Sequence, residues 1–325
     1  MAPNTVDALI IGAGPAGLSA ALALARQAHT CVVLNSGRYR NDPADYMHLI
    51  PGFDNVSPSA FRTAAGDNML SCYGGCVSMQ SADVSTVRQE STAVGTCFEV
   101  ADAEGKTWTG KKLILASGVR DCLPEMPGYA ECWGKSIFHC LFCKGFEQRD
   151  CASAGVLATN GLKNVPHALH IARQAAALCK GAVTLYTDGS EPLAAELESA
   201  FGSTGRMKVD SRRIMQCALG SGGTGVVVHF QDGSEPVEQG FLVHVPPTEP
   251  RGHFIGQLKL ETTPSGDIKV SQPMYQTSER GVFAAGDNCS MLKNVPNAIF
   301  SGNLAGQGAA SQIQAEAHGQ KPLFG

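Results

Sequence analysis

The chain has 325 residues, 43% of them apolar, with a formal net charge of −4: enough for two domains and a sizeable core, with no basic face for nucleic acid. No apolar run approaches the ~18–20 residues of a membrane span, so no membrane partner is expected. The opening MAPNTVDALIIGAG lacks a basic leader and a cleavable apolar segment, and the twelve cysteines then point to a reducing, cytoplasmic setting with mostly free, buried thiols.

The first landmark is DALIIGAGPAGLSAALALARQAHTCVVLNSG. It predicts a strand over Ala8–Ile11, a helix over Leu18–Arg26 and a second strand over Cys31–Leu34. Between strand and helix lie Gly12, Gly14 and Gly17, with Pro15 and Ala16 in the same loop. The first glycine permits the turn, the second lets backbone approach a pyrophosphate, and the third lets helix and strand pack closely. The helix N-terminus offers free N–H groups and the positive end of its dipole. The second strand of such a unit usually ends in a carboxylate for the ribose; here Asn35 and Ser36 stand there.

Cys72 and Cys76, four apart around YGG, read as structural. KKLILASGVR, residues 111–120, reads as a strand ending in Ala116-Ser117-Gly118. FHCLFCKGFEQRD then carries Cys140 and Cys143, two residues apart. Three readings stand: a zinc half-site, an idle pair or a redox couple. Zinc needs two further ligands, no second CxxC exists, and His139 is too close in sequence to complete a site; no metal is expected. CxxC spacing, a helix N-terminus and nearby positive charge all lower a thiol pKa, as a redox couple needs. Lys144 follows the second cysteine and His139 precedes the first. Phe142 and Phe146 read as ordinary core, with the lining of a pocket as the alternative.

Beyond the pair, Ala154–Ala158, Pro166–Leu178 and Ala182–Tyr186 predict another strand, helix and strand. The phosphate loop expected between the first two reads ATNGLKNVPHA, with only Gly161 left, followed by Lys163 and Asn164. After the next strand, YTDGSEP offers Asp188 and Glu191, the wrong sign for a 2′-phosphate. Near the C-terminus, a strand over Val282–Ala285 leads into Gly286 and Asp287, with a helix from about Ala298.

GxGxxG, Ala-Ser-Gly and Gly-Asp, in that order, resemble the fingerprints of two-domain flavoprotein disulfide reductases, and the cofactor they imply is FAD. The fold class is α/β: a two-domain Rossmann-like FAD disulfide oxidoreductase fold with a smaller inserted NADPH-domain-like βαβ domain. Residues 1–118 and 245–325 are assigned to FAD, and 119–244 to the insert bearing CxxC, without a working nucleotide site. LIIGAGPAGLSAALALARQ, SGRYRN, YMHLIPGFD, ASGVRD, GYAECWGKSIFHCLFCKGFE and GVFAAGD are similar to low-molecular-weight thioredoxin reductase-like flavoproteins. More closely, HCLFC with the degraded loop resembles the gliotoxin-type dithiol oxidases of fungal epidithiodiketopiperazine pathways.

That resemblance implies a homodimer that oxidises two thiols of a small-molecule dithiol to a disulfide through CxxC and passes the electrons from FAD to O2, giving H2O2. It implies that Cys143 faces the flavin and Cys140 the substrate, and that Asp287 accepts a hydrogen bond from the ribityl chain. It also puts Ser36–Asn41, with Arg40 and Asn41, and Asp45–Asp54 near the flavin ring; within the latter, His48 reads either as a structural histidine or as a local proton carrier, and Asn294–Asn297, after the Gly-Asp, reads as a lining of the flavin edge. Relatives place Asp after CxxC; here Lys144 would favour thiolate, and His139 or Glu147 could relay the proton. Two other readings are a thioredoxin reductase fed by NADPH or another donor, and a non-catalytic flavoprotein shielding a reactive dithiol.

Overall fold

A computed structural model describes residues 5–92, 95–201 and 205–324. The chain forms two compact units: residues 1–120 with 249–325, and residues 121–248.

In the first unit, strands Val77–Ser81, Cys31–Asn35, Val6–Ile11 and Thr107–Leu115 run parallel in that order. Gly95–Asp102 and Val84–Thr92 continue the sheet antiparallel. Strand Thr107–Leu115 has divided loyalties: residues near Gly110 pair with Phe98, while Leu113–Leu115 pair in parallel with Val282–Ala284. The central strands are apolar on both faces because both faces are covered, as parallel sheets require. Helices Pro15–Ala25 and Val295–Ala317 pack on one face through alanines.

Both helices start earlier than their apolar runs suggest. Pro15 and Pro296 sit in the first helical turn, where a missing N–H costs nothing. The helix expected from Leu18 therefore begins at Pro15, and the one expected from Ala298 begins at Val295.

The second unit holds a parallel sheet in the order Met207–Asp210, Val183–Tyr186, Ala154–Leu157, Phe241–Val243 and Ile137–Phe138. Helix Val165–Leu178 packs on it through Ala168, Ala172 and Ala175. An antiparallel sheet of Ile214–Leu219, Val226–Phe230 and Val237–Gln239 completes the unit. Among the described residues no helix is long and apolar enough to cross a membrane.

Candidate active site

Strand Ile137–Phe138 delivers the cysteine pair from the sheet edge. Cys140, in extended backbone, is the N-cap of the short helix Leu141–Lys144, and Cys143 lies in its single turn. The two form a disulfide. Leu141 anchors the turn in the apolar core, while both cysteines stay half-buried and reachable. The His139 ring stacks on Trp133 at 5.9 Å, and Trp133 stacks on Tyr129. Lys144 Nζ donates to the Gly134 carbonyl at 2.6 Å and lies 5.6 Å from the centre of the Phe138 ring. Its charge thus helps to hold the cysteine turn on the Trp133–Gly134 corner. Glu147 is exposed in the turn that follows.

The expectation that Phe142 and Phe146 are core is wrong. They are 67% and 64% exposed, because Leu141 takes the inward position of this short turn. Cys72, read as structural, is exposed too, whereas Cys76 is half-buried. Burial pushes the Cys31, Cys217 and Cys289 thiols up to about 12, which keeps them protonated and unreactive. Among the described residues no cluster of three or more His, Cys, Asp or Glu could hold a metal.

In the first unit the glycine loop is a cradle. A Cβ on Gly12 would collide with the Ala116 carbonyl, and one on Gly17 with the carbonyl of Gly12. Gly14 faces open space with nothing within 4 Å. No side chain caps the helix that starts at Pro15, so the N–H groups of Ala16 and Gly17 remain for an anion. This donor set fits the pyrophosphate of a dinucleotide.

Around the cradle, Ala116 N–H donates to Ile11 O at 2.9 Å, and Gly118 O accepts from Arg251 N–H at 3.0 Å. Asn35 Oδ1 accepts from Gly37 N–H at 2.9 Å and from the Tyr39 hydroxyl at 2.8 Å, so it shapes its own loop. Ser36 Oγ accepts from Arg38 N–H. Arg62 stacks over Tyr39 at 3.7 Å and reaches Asn41 Oδ1. Arg40 Nη1 donates to Asp287 Oδ2 at 2.9 Å. His48 Nδ1 lies 3.5 Å from the Asp54 carboxylate. Gly286 N–H donates to Ser301 Oγ, and Asn294 caps the following helix by accepting from Asn297 N–H.

Lys293, which the sequence reading passed over, holds this loop from below. Its ammonium donates to Asp267 Oδ1 at 2.7 Å, Ser290 O at 2.6 Å and Asp287 O at 2.9 Å.

In the second unit the corresponding loop makes its polar contacts within the chain. Asn164 Oδ1 accepts from His167 N–H and caps helix Val165–Leu178. A Cβ on Gly161 would press on Val245. Thr159 Oγ1 and Asn160 Nδ2 meet His244 Nε2 at 3.1 and 3.2 Å, and Tyr129 Oη meets its Nδ1 at 2.6 Å. His244 is fully buried, and burial lowers its pKa to about 4, so the ring is neutral. Lys163 follows the loop; Asp188 accepts from Ile214 N–H, and Glu191 opens the next helix. His244 was missed because a single histidine at the end of the apolar run FLVHVP gives no local sign of its partners.

Residues 6–302 match the family described as pyridine nucleotide-disulphide oxidoreductase. The chain is 53% identical to thioredoxin reductase tcpT of Claviceps purpurea, over 99% of this chain and 98% of that one. It is 42% identical to thioredoxin reductase sirT of Leptosphaeria maculans, over 95% of each. Among solved structures, an oxidoreductase from Agrobacterium tumefaciens superposes with a TM-score of 0.80 at 28% identity, covering 95% of this chain and 99% of that one. The structure of HlmI gives 0.83 at 26%, covering 97% and 94%.

Proposed function

The chain belongs to the pyridine nucleotide-disulphide oxidoreductases, as an FAD flavoprotein of thioredoxin reductase type, and from that premise we propose that it is a dithiol oxidase. It closes an intramolecular disulfide in a small-molecule dithiol of the epipolythiodiketopiperazine kind, with O2 as acceptor: dithiol plus O2 gives cyclic disulfide plus H2O2. The contrast between the two phosphate loops carries the reading. The Gly12–Gly17 cradle is open and uncapped. The second loop spends its helix N-terminus on Asn164 and its polar groups on His244. A chain with one working cradle takes its electrons from the dithiol, not from NADPH.

A substrate thiolate attacks Cys140 Sγ, the Cys140–Cys143 bond breaks, and Cys143 leaves as thiolate. The second substrate thiolate then attacks the substrate sulfur of the mixed disulfide. The ring closes, Cys140 is released, and the pair now holds two electrons. His139, held against Trp133, or the exposed Glu147 takes the proton from the substrate thiol. Lys144 keeps the turn in place through Gly134. FAD, when bound, would supply the acceptor for the two electrons of the pair and their outlet to O2. Gly12, Gly14, Pro15, Ala16 and Gly17 would hold its pyrophosphate, and Asp287, braced by Arg40, would accept from a ribityl hydroxyl. His48, Asn41, Ala116, Gly118 and Gly286 belong to the same cofactor site. The working form is a cytoplasmic homodimer.

The names of the relatives favour a second reading, a reductase that carries electrons from NADPH to a protein disulfide. An oxygen electrode separates the two. The oxidase consumes one O2 and releases one H2O2 per disulfide closed, with no NADPH present. Dependence of all turnover on NADPH would establish the reductase.

A further inference from the structure

Among the described residues of the second unit, three large hydrophobic side chains are exposed: Phe142, Phe146 and Met215. Two of these flank the disulfide, and Phe142 stands between its two cysteines in sequence. Resting on the dithiol oxidase reading, we propose that Phe142 and Phe146 form an aromatic platform that selects dithiols with an apolar body.

Three observations support this. Phe142 and Phe146 are four residues apart on a helical turn and its continuation, a spacing that puts side chains on the same side. The inward side of the turn is taken by Leu141, so the platform is not core that has slipped outward. Phe146 is also braced: the Arg149 guanidinium lies 4.0 Å from its ring centre, and Arg149 Nη1 donates to the Phe146 carbonyl at 3.0 Å. The ring is thus held ready for a ligand, at little ordering cost on binding.

The occupant follows from the chemistry of the disulfide. A thiolate that attacks Cys140 must approach a four-residue turn whose second intervening residue is Phe142. On this proposal the body carrying that thiol reaches the exposed ring. An apolar body gains by covering exposed aromatic surface, whereas a hydroxylated one gains little. Because the rings take no part in bond making, they act through substrate binding.

The test uses two propane-1,3-dithiols that close the same five-membered disulfide ring, one bearing a 2-benzyl group and the other a 2-hydroxymethyl group. Wild type, Phe142→Ala, Phe146→Ala and Phe142→Leu are compared as FAD-loaded enzyme by O2 uptake. Wild type is expected to prefer the benzyl dithiol about tenfold or more in kcat/KM, through KM. Each alanine variant is expected to lose about that factor for the benzyl dithiol, with kcat and the hydroxymethyl dithiol changed less than about twofold. Phe142→Leu should keep much of the preference. The hydroxymethyl substrate serves as the folding control. Equal losses for both dithiols would mean that the rings support the cysteine turn, or meet the first unit or a second copy of the chain, and would overturn the platform. No loss for either would overturn it too. Failure of wild type to oxidise either dithiol overturns the oxidase reading and the platform with it; turnover of both without preference overturns the platform alone.

Discussion

Arg40 Nη1 donates to Asp287 Oδ2 at 2.9 Å across 247 residues of sequence, with both side chains largely buried. This ion pair joins the loop after the second strand to the Gly-Asp turn at the end of the sheet. Arg40→Ala removes this cation from a mostly buried carboxylate, which costs more than losing an exposed pair would. FAD affinity of the apoprotein, followed by quenching of flavin fluorescence, is expected to weaken about tenfold, roughly 1.4 kcal/mol. Unchanged affinity would mean that Asp287 binds FAD without this brace, or does not bind it.

Lys293 and Asp267 form a second pair, exposed by only 13% and 8%. Lys293→Met removes a cation that also serves two carbonyls of the 287–290 turn. A loss of about 3 kcal/mol of stability in urea is expected from the stranded carboxylate. Adding Asp267→Asn should recover part of that loss, because the neutral amide no longer needs the cation. Simple additivity of the two changes would contradict the pairing.

His244 gives the stability of the second unit a pH dependence whose sign is fixed. Its folded pKa, about 4, lies below the ordinary 6.5, so the unfolded chain binds the extra proton first. The contribution is complete above pH 6.5 and is lost as pH falls from 6.5 towards 4, by up to about 3 kcal/mol. Urea midpoints measured between pH 7 and 4.5 should fall more steeply for wild type than for His244→Gln. Equal slopes would show that the ring is not held neutral.

The two cysteines are expected to differ in role. Cys140→Ser and Cys143→Ser should each lose dithiol turnover by about a thousandfold or more. Incubated with the disulfide product, Cys143→Ser should form a mixed disulfide at Cys140, visible by mass spectrometry, and Cys140→Ser should not. The reverse pattern would exchange the substrate and flavin sides of the pair.

Local signals made part of this legible. Gly12, Gly14 and Gly17 follow an apolar strand at fixed offsets, and the cradle forms where those offsets predict. The helices begin at Pro15 and Val295, three residues before Leu18 and Ala298, because a proline fits the first helical turn, where its missing N–H costs nothing. The sequence in fact repeats one start signal: Asn164-Val165-Pro166 and Asn294-Val295-Pro296 each open a helix with an asparagine cap. Phe142 and Phe146 were misread because residue type alone suggests burial, whereas a single turn of helix can turn only one side inward. The His244 network was illegible for a different reason. Its partners Tyr129, Thr159 and Asn160 lie 115, 85 and 84 residues away, and only the folded sheet brings them together.

The most direct measurement of the central claim is anaerobic flavin reduction. The yellow holoenzyme is mixed without oxygen with NADPH or with a small dithiol, and the absorbance of oxidised flavin is followed. The expected result is bleaching by the dithiol and not by NADPH, with colour and one equivalent of H2O2 appearing when air is admitted. Rapid bleaching by NADPH would contradict the account, because the loop that carries Asn164 and contacts His244 would then be a working nucleotide site.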